Sequence, residues 1–356
     1  MRSISDTLAR MAAYQHPIGL ASATPSRLAP FEDFGANPGA LAAHVYIPPQ
    51  LAPGAPLVVA LHGCTQTAAD YDLGTGWSTL ADAAGFALLL PEQRRANNAN
   101  LCFGWFEPGD IARHGGEAES IAQMVTALVA RHGLDPRRIF VTGLSAGGAM
   151  TAVMLATYPE LFAAGAIIGG LPYGGASGVA QALDRMRGHG AASDAEAADA
   201  VRAAAPGATR SYPAVSIWQG GSDTTVVAAN ADRLVGQWRT VHGLPAVPSE
   251  TKRGTGWEHK VWRDRAGGAA VEQWSIAAMG HGVPIDPTGA AALGEAGPYM
   301  LDVGLSSTQA IAASWGLVAV DRRARTAHAP PPSGKAPSVQ VRESIERAMR
   351  SAGLLR

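Results

Sequence analysis

The 356-residue chain has only two cysteines, Cys64 and Cys102, and only three lysines, Lys252, Lys260 and Lys335. Two cysteines cannot build a disulfide framework and lack the spacing of a zinc site, which leaves one bridge or two free thiols. No stretch approaches the ~18 consecutive apolar residues of a membrane-spanning helix. The first twenty residues carry Asp6 and lack the continuous apolar run of roughly 7–15 residues that a secretory signal needs. An excess of charge of one sign is missing as well: 28 basic residues face 29 acidic ones, for a formal net charge of −1. That balance provides no basic surface for a phosphate backbone or an anionic lipid, so neither nucleic acid nor membrane is expected as a partner. Cofactor signatures are absent too, with no G-x-G-x-x-G, no P-loop and no His/Asp/Glu cluster for a metal.

What is present is a globular composition. Hydrophobic residues make up 47% and charged residues 16%, which excludes charge-driven disorder over most of the length. Gly 42 and Pro 24 imply many tight turns. Apolar runs of strand length lie at Ala43–Ile47, Leu57–Leu61, Phe86–Leu90, Arg138–Thr142, Ala164–Ile168, Ala214–Trp218 and Val271–Ile276. Helical patterns fall between them at Ser78–Ala84, Glu117–Arg131, Gly147–Thr157 and Asn230–Val241. Alternation of this kind predicts βαβ units and an α/β fold, a mostly parallel central sheet with helices on both faces.

Residues 1–40 read as a short N-terminal helix and an irregular lead-in, and 41–320 as the α/β domain. Within it, 171–213 holds no strand and is expected to form a helical excursion over one edge of the sheet, a modest cap. Residues 321–340, with Pro330, Pro331, Pro332 and Pro337, read as an extended linker, and 341–356 as a closing helix that docks on the domain.

The most informative segment runs from Arg138 to Met150, where a hydrophobic strand leads into Gly143-Leu-Ser145-Ala-Gly147 and then into an apolar helix. A serine on a strained strand-to-helix turn needs small neighbours, which identifies Ser145 as the candidate nucleophile. The turn also places the Ala146 amide at a helix N-terminus, where it can stabilise an oxyanion. A serine hydroxyl needs a histidine base, and the histidine needs an acid, in the chain order Ser, Asp or Glu, His. Asp223 lies on a loop after the strand Ala214–Trp218 and is the candidate acid. Asp232 belongs to the following helix, and Asp184, Asp194 and Asp199 to the excursion. Among the histidines, His281 follows a strand on the glycine-flanked loop Gly280-His-Gly282 and is the candidate base. His259 falls in a hairpin, His328 in the proline linker, and His189 and His242 beside helices. The second oxyanion donor should come from the loop after an early strand, here His62-Gly63-Cys64, which makes the Cys64 amide the candidate and His62 an anchor of the turn.

With these residues in place the chain resembles the polyhydroxybutyrate (PHB) depolymerase-type esterases of the α/β-hydrolase superfamily. The resemblance rests on LHGCTQ at 61–66, LLLPEQ at 88–93, CFGWF at 102–106, GLSAGGAM at 143–150, AIIGGLPYG at 166–174, the Asp223 loop, GHG at 280–282 and SWGL at 314–317. It implies a serine esterase working through an acyl-enzyme. Ser145, Asp223 and His281 would form the triad, Cys64 and Ala146 the oxyanion hole, and no cofactor would be used. It also implies a Cys64–Cys102 bridge and a secreted or periplasmic protein, although no signal segment is visible. Trp105 and Phe106, with Tyr173 and Trp315 as further candidates, would line an apolar ester cleft. The expected substrate class is poly(3-hydroxybutyrate) or short-chain hydroxyalkanoate oligomers. Oligomers, amorphous polymer or small soluble esters come ahead of crystalline polymer, because a proline linker and one helix follow Trp315 where a separate polymer-binding domain would be expected. Feruloyl or acetyl-xylan esterase activity is the alternative, and a non-catalytic hydrolase-fold binding protein or a peptidase are more distant ones.

Overall fold

The computed structural model describes residues 26–207, 211–289 and 292–318. The expected N-terminal helix, proline linker and closing helix lie outside them. Twelve strands occur among the described residues: β1 (Ala29–Pro30), β2 (Ala42–Tyr46), β3 (Leu57–Leu61), β4 (Ala87–Glu92), β5 (Ile139–Leu144), β6 (Ala164–Ile168), β7 (Ala214–Gly220), β8 (Glu250–Gly254), β9 (Trp257–Arg263), β10 (Ala269–Ile276), β11 (Val283–Ile285) and β12 (Met300–Asp302). The helices are α1 (Ala68–Thr75), α2 (Trp77–Ala84), α3 (Gly116–His132), α4 (Ala146–Thr157), α5 (Val179–Met186), α6 (Asp194–Ala204), α7 (Ala229–Val241) and α8 (Ser307–Ser314).

Ten strands form one open sheet in the order β1-β2-β4-β3-β5-β6-β7-β10-β9-β8. Its centre, from β4 to β10, is parallel, while β2 and the β9–β8 hairpin join antiparallel at the two flanks. The parallel strands are apolar along their whole length because both faces are covered: every residue of β3, β5 and β6 is buried. Successive side chains point to opposite faces, so Leu57, Val59 and Leu61 enter one core layer and Val58 and Ala60 the other. The first layer packs under α3, α4 and α7 through Val125, Met150, Val153, Leu234 and Trp238. The second packs under α1, α2 and α8 through Tyr71, Trp77, Leu80 and Ile311. This is the α/β-hydrolase architecture.

Two elements escape the apolar pattern. Helix α1 has no apolar stripe and is marked instead by its capping box, in which Thr67 and Asp70 satisfy each other's backbone amides. Strand β8, Glu-Thr-Lys-Arg-Gly, is charged and exposed, as an unpaired sheet edge must be to resist further pairing. The segment 171–213 holds α5 and α6. Helix α6 packs on α7 and α4, one layer outside the sheet face, rather than over a sheet edge as the sequence reading had it.

Candidate active site

Ser145 sits between β5 and α4 with φ 58° and ψ −115°, a backbone conformation that costs a non-glycine residue energy and persists only where its surroundings enforce it. The enforcement comes from glycine. A Cβ on Gly147 would lie 2.3 Å from the Leu61 carbonyl oxygen and 2.4 Å from that of His62, and one on Gly143 would lie 2.4 Å from the Gly147 oxygen. Only bare backbone lets the elbow pack this tightly against the end of β3. The Ser145 amide donates to the Ile168 oxygen at 2.9 Å, fixing the elbow to the end of β6.

The acid and the base arrive on neighbouring strand ends. Parallel pairing puts Gly220 of β7 beside Ile276 of β10, and the loops that follow run backbone against backbone. The Gly221 amide donates to the Ile276 oxygen at 2.8 Å and the Ser222 amide to the Met279 oxygen at 2.9 Å, while a Cβ on Gly220 would meet Met279 at 2.3 Å. On these loops His281 Nδ1 lies 2.7 Å from Asp223 Oδ2, both side chains being buried. Asp223 is itself held on every side: Oδ1 accepts from the Thr225 and Val226 amides at 2.8 and 2.9 Å, and Oδ2 also accepts from Gln219 Nε2 at 3.1 Å. A carboxylate so oriented makes Nδ1 the protonated nitrogen of the ring and leaves Nε2 as the basic one. The imidazole borders Gly169, where a Cβ would come within 3.2 Å of His281 Cε1. Gly169 directly follows Ile168, the residue that anchors the Ser145 amide. Three strand ends therefore bring the histidine to the elbow.

The oxyanion side is built differently. Cys64 and Cys102 are joined by a disulfide, Cα to Cα 4.3 Å, which ties the loop after β3 to the aromatic segment 102–106. His62 is fully buried, and burial holds its pKa below the usual histidine range, so the ring is neutral. Its Nε2 accepts from the Gln93 amide at 3.1 Å, so Nδ1 carries the proton and donates to the Gly63 oxygen at 2.8 Å. In a trans peptide the amide points opposite to the carbonyl, so this bond aims the Cys64 N–H away from His62. Gln66 Oε1 accepts from the Gly63 amide at 2.9 Å and closes the turn. Ala146 opens α4, whose first amides have no intrahelical acceptor.

Sequence reasoning missed the residues that hold this loop. Gln93 Nε2 donates to Cys102 O and to Glu117 Oε1, and Glu117 Oε2 accepts from the Gly104 amide at 2.7 Å. Glu117 is only 3% exposed, and burial pushes its pKa up to about 8 against the opposing effect of those donors. A Gln and a Glu inside an apolar pattern were the available signal, since buried polar residues of this kind require partners. Gln219, which steadies Asp223, was missed in the same way.

The aromatic candidates separate. Trp105 is buried with Phe106 set edge-on to it at 5.3 Å, and Trp105 and Tyr173 both border an open cavity whose wall includes Leu171, two residues after Gly169. Trp315 lies instead in the opposite core layer, stacked on Phe140 at 4.8 Å and on Trp77 at 6.0 Å. Its place there is that of a core residue, because α8 carries it onto the face of the sheet turned away from α4. The histidines set aside are occupied elsewhere: His259 Nε2 is 2.6 Å from Glu272 and stacks on Trp274, and His242 bonds the Pro213 oxygen. Among the described residues no group of three or more His, Cys, Asp or Glu could hold a metal ion, and no helix is long and apolar enough to cross a membrane.

Comparison with known proteins bears on this arrangement. The family model "Esterase PHB depolymerase" matches residues 41–260, a span that includes Ser145 and Asp223 and stops short of His281. The chain is 43% identical over 319 residues to poly(3-hydroxyalkanoate) depolymerase C of Paucimonas lemoignei, covering 89% of this chain and 77% of that protein. It is 32% identical over 262 residues to feruloyl esterase B of Talaromyces stipitatus, covering 71% and 72%. Among solved structures, the acetyl xylan esterase from Aspergillus awamori superposes with a TM-score of 0.70 at 27% identity, covering 82% of this chain and 99% of that one.

Proposed function

The chain belongs to the PHB depolymerase family of esterases, and from that premise we propose that it cleaves the ester bonds of hydroxyalkanoate oligomers or amorphous polymer through an acyl-enzyme on Ser145. In this mechanism Ser145 Oγ attacks the ester carbonyl while His281 Nε2 takes its proton. The negative charge that develops on the carbonyl oxygen is met by the amides of Cys64 and Ala146, which are fixed before the substrate arrives and need no reorganisation. His281 then protonates the leaving alcohol oxygen as the C–O bond breaks. A water molecule, deprotonated by the same ring, releases the acid and restores Ser145. Asp223 keeps the imidazole in the tautomer that both half-reactions require.

The observation that carries the reading is the 2.7 Å contact of His281 Nδ1 with Asp223, on a ring that borders the strand end anchoring the elbow. Ser145→Ala should lower turnover of a p-nitrophenyl ester by a factor of about 10⁴ or more, as removal of a triad nucleophile does. It should also abolish labelling by a fluorophosphonate probe. Activity above a percent or so of the wild type would remove Ser145 from the mechanism.

Identity to the depolymerase relative supports the hydroxyalkanoate class over aryl or acetylated-carbohydrate esters, as does the apolar wall of Trp105 and Tyr173. Rates on 3-hydroxybutyrate oligomers, methyl ferulate and acetylated xylan rank the three. No turnover of the first beside efficient turnover of the second would reverse the order. The Cys64–Cys102 bond supports an oxidising compartment as the working environment.

A further inference from the structure

An open cavity of about 570 Å³, its mouth included, is walled by Trp105, the loop Leu171–Gly175, which starts two residues after Gly169, and helices α5–α7. Two arginines, Arg185 and Arg233, are among its lining residues. Both are anchored through carbonyls. Arg185 Nε donates to the Gly175 oxygen and Nη1 to the His189 oxygen, each at 2.7 Å, and Arg233 Nη2 donates to the Gly188 oxygen at 2.8 Å. The two cations are thus tied to consecutive carbonyls, at 188 and 189. Among the described residues no carboxylate comes within ion-pair distance of either. The acids on the rim are engaged elsewhere, Asp194 with Arg239 at 3.1 Å and Glu196 in the cap of α6 with Ser193. Two positive charges held by backbone carbonyls, with no carboxylate partner among the described residues, border a cavity with apolar walls.

We propose that this cavity is a subsite for the free carboxylate of a hydroxyalkanoate oligomer, held by Arg185 and Arg233 while Trp105 and Tyr173 cover its aliphatic chain. The assignment rests on the hydroxyalkanoate reading of the site. In such an oligomer the free carboxylate always belongs to the alcohol side of any scissile bond, so the subsite receives the segment that leaves when the acyl-enzyme forms. Reach agrees with this. Gly169 borders the imidazole and Tyr173 lies four residues further along, so the cavity edge at Tyr173 is at most about 14 Å from Gly169. A hydroxybutyrate repeat has four backbone atoms where an amino-acid residue has three, or about 5 Å when extended. At most about two to three repeats are needed to span that distance, so a short oligomer can reach the cavity from the scissile bond. A planar guanidinium already held by carbonyls loses little freedom on binding a carboxylate, which favours arginine in this place over lysine.

The test compares a 3-hydroxybutyrate tetramer carrying its free carboxylate with the same tetramer ending in a primary amide. The wild type should show a KM about tenfold lower for the acid, a difference expected of a partly exposed charge-assisted bond. In Arg233→Gln that preference should disappear, with KM for the acid rising relative to KM for p-nitrophenyl butyrate on the same variant. Arg233→Lys should retain part of it, and added salt should weaken it in the wild type. Melting temperature and p-nitrophenyl butyrate turnover report whether each variant is folded. Should Arg233→Gln fail to fold, the wild-type acid-to-amide ratio and its salt dependence decide alone. Equal KM values for acid and amide in the wild type, or a preference that survives in Arg233→Gln and in Arg185→Gln, would overturn the subsite and leave the esterase reading intact. Cleavage of methyl ferulate with neither tetramer cleaved would overturn the hydroxyalkanoate reading and the subsite with it.

Discussion

The two halves of the site are held by different means. On the acid–base half, Asp223 and His281 ride on loops pressed backbone to backbone at the ends of β7 and β10, and Asp223 accepts four hydrogen bonds, from Thr225, Val226, Gln219 and His281. On the oxyanion half, the loop carrying Cys64 depends on a disulfide and on hydrogen bonds running from His62 to the Gln93 backbone amide and from the Gln93 side chain to Glu117. Hydrogen-bonded strand ends resist local disturbance, whereas a buried polar chain is only as good as its weakest partner. Substitutions on the first half should therefore abolish chemistry with little change in stability. Substitutions on the second should couple activity to stability, redox state and pH.

Asp223→Asn offers the largest separation of these behaviours. The amide presents N–H where the carboxylate accepted, so the imidazole is left in the wrong tautomer while its surroundings persist. A loss of about 10⁴ in kcat is expected, with the melting temperature within a few degrees of wild type. A fall in stability as large as the fall in rate would show that the acid–base half is no more independent than the other. Cys102→Ser acts on the other half. Opening a bridge that spans 38 residues should cost about 3–4 kcal/mol of stability through the unfolded-state entropy it removes. It should also lower kcat by about an order of magnitude, because the amide of Cys64 is no longer pinned. Denaturant titration beside ester kinetics measures both. An unchanged kcat would mean that His62 and Gln66 suffice to aim that amide.

How far each half can be read from the sequence follows from the same contrast. Gly143, Ser145 and Gly147 are legible because close backbone approach permits only glycine, and that demand is visible in five consecutive residues. The parallel core is legible because strands buried on both faces must be apolar from end to end, as in Leu57–Leu61. Asp223 and His281 are legible because each follows a strand on a turn-rich loop. Gln93, Glu117 and Gln219 carry no such mark. The partners of Gln93 and Glu117 lie well away in the chain, Glu117 reaching Gly104 and Gln93 across the start of α3, and only the folded loops reveal that these groups meet, as they do that Gln219 turns back onto Asp223. Trp315, only a further candidate for the cleft, could not be placed from sequence for a related reason: an aromatic within a family motif looks the same whether it turns toward the cleft or toward Phe140.

Glu117 gives the smallest and most specific prediction. Its pKa is raised by burial from the ordinary 4.5 to about 8 in the folded protein, whereas the unfolded chain leaves the group at its ordinary value. Between those two values the folded state binds the extra proton, so this group's contribution to stability is complete below about pH 4.5 and is lost as pH rises through about 8. Glu117→Gln keeps the shape, keeps an acceptor for the Gly104 amide and cannot ionise. Melting temperature followed from pH 5 to about pH 9 should fall less steeply in the variant than in the wild type, the two curves converging at the acid end. Activity should follow the same course, since a buried ionised carboxylate destabilises the segment 93–104 that carries Cys102 and, through the disulfide, the loop of Cys64. Equal slopes for the two proteins would mean that the Gly104 and Gln93 donors hold Glu117 ionised throughout, and that the oxyanion half owes its geometry to the disulfide.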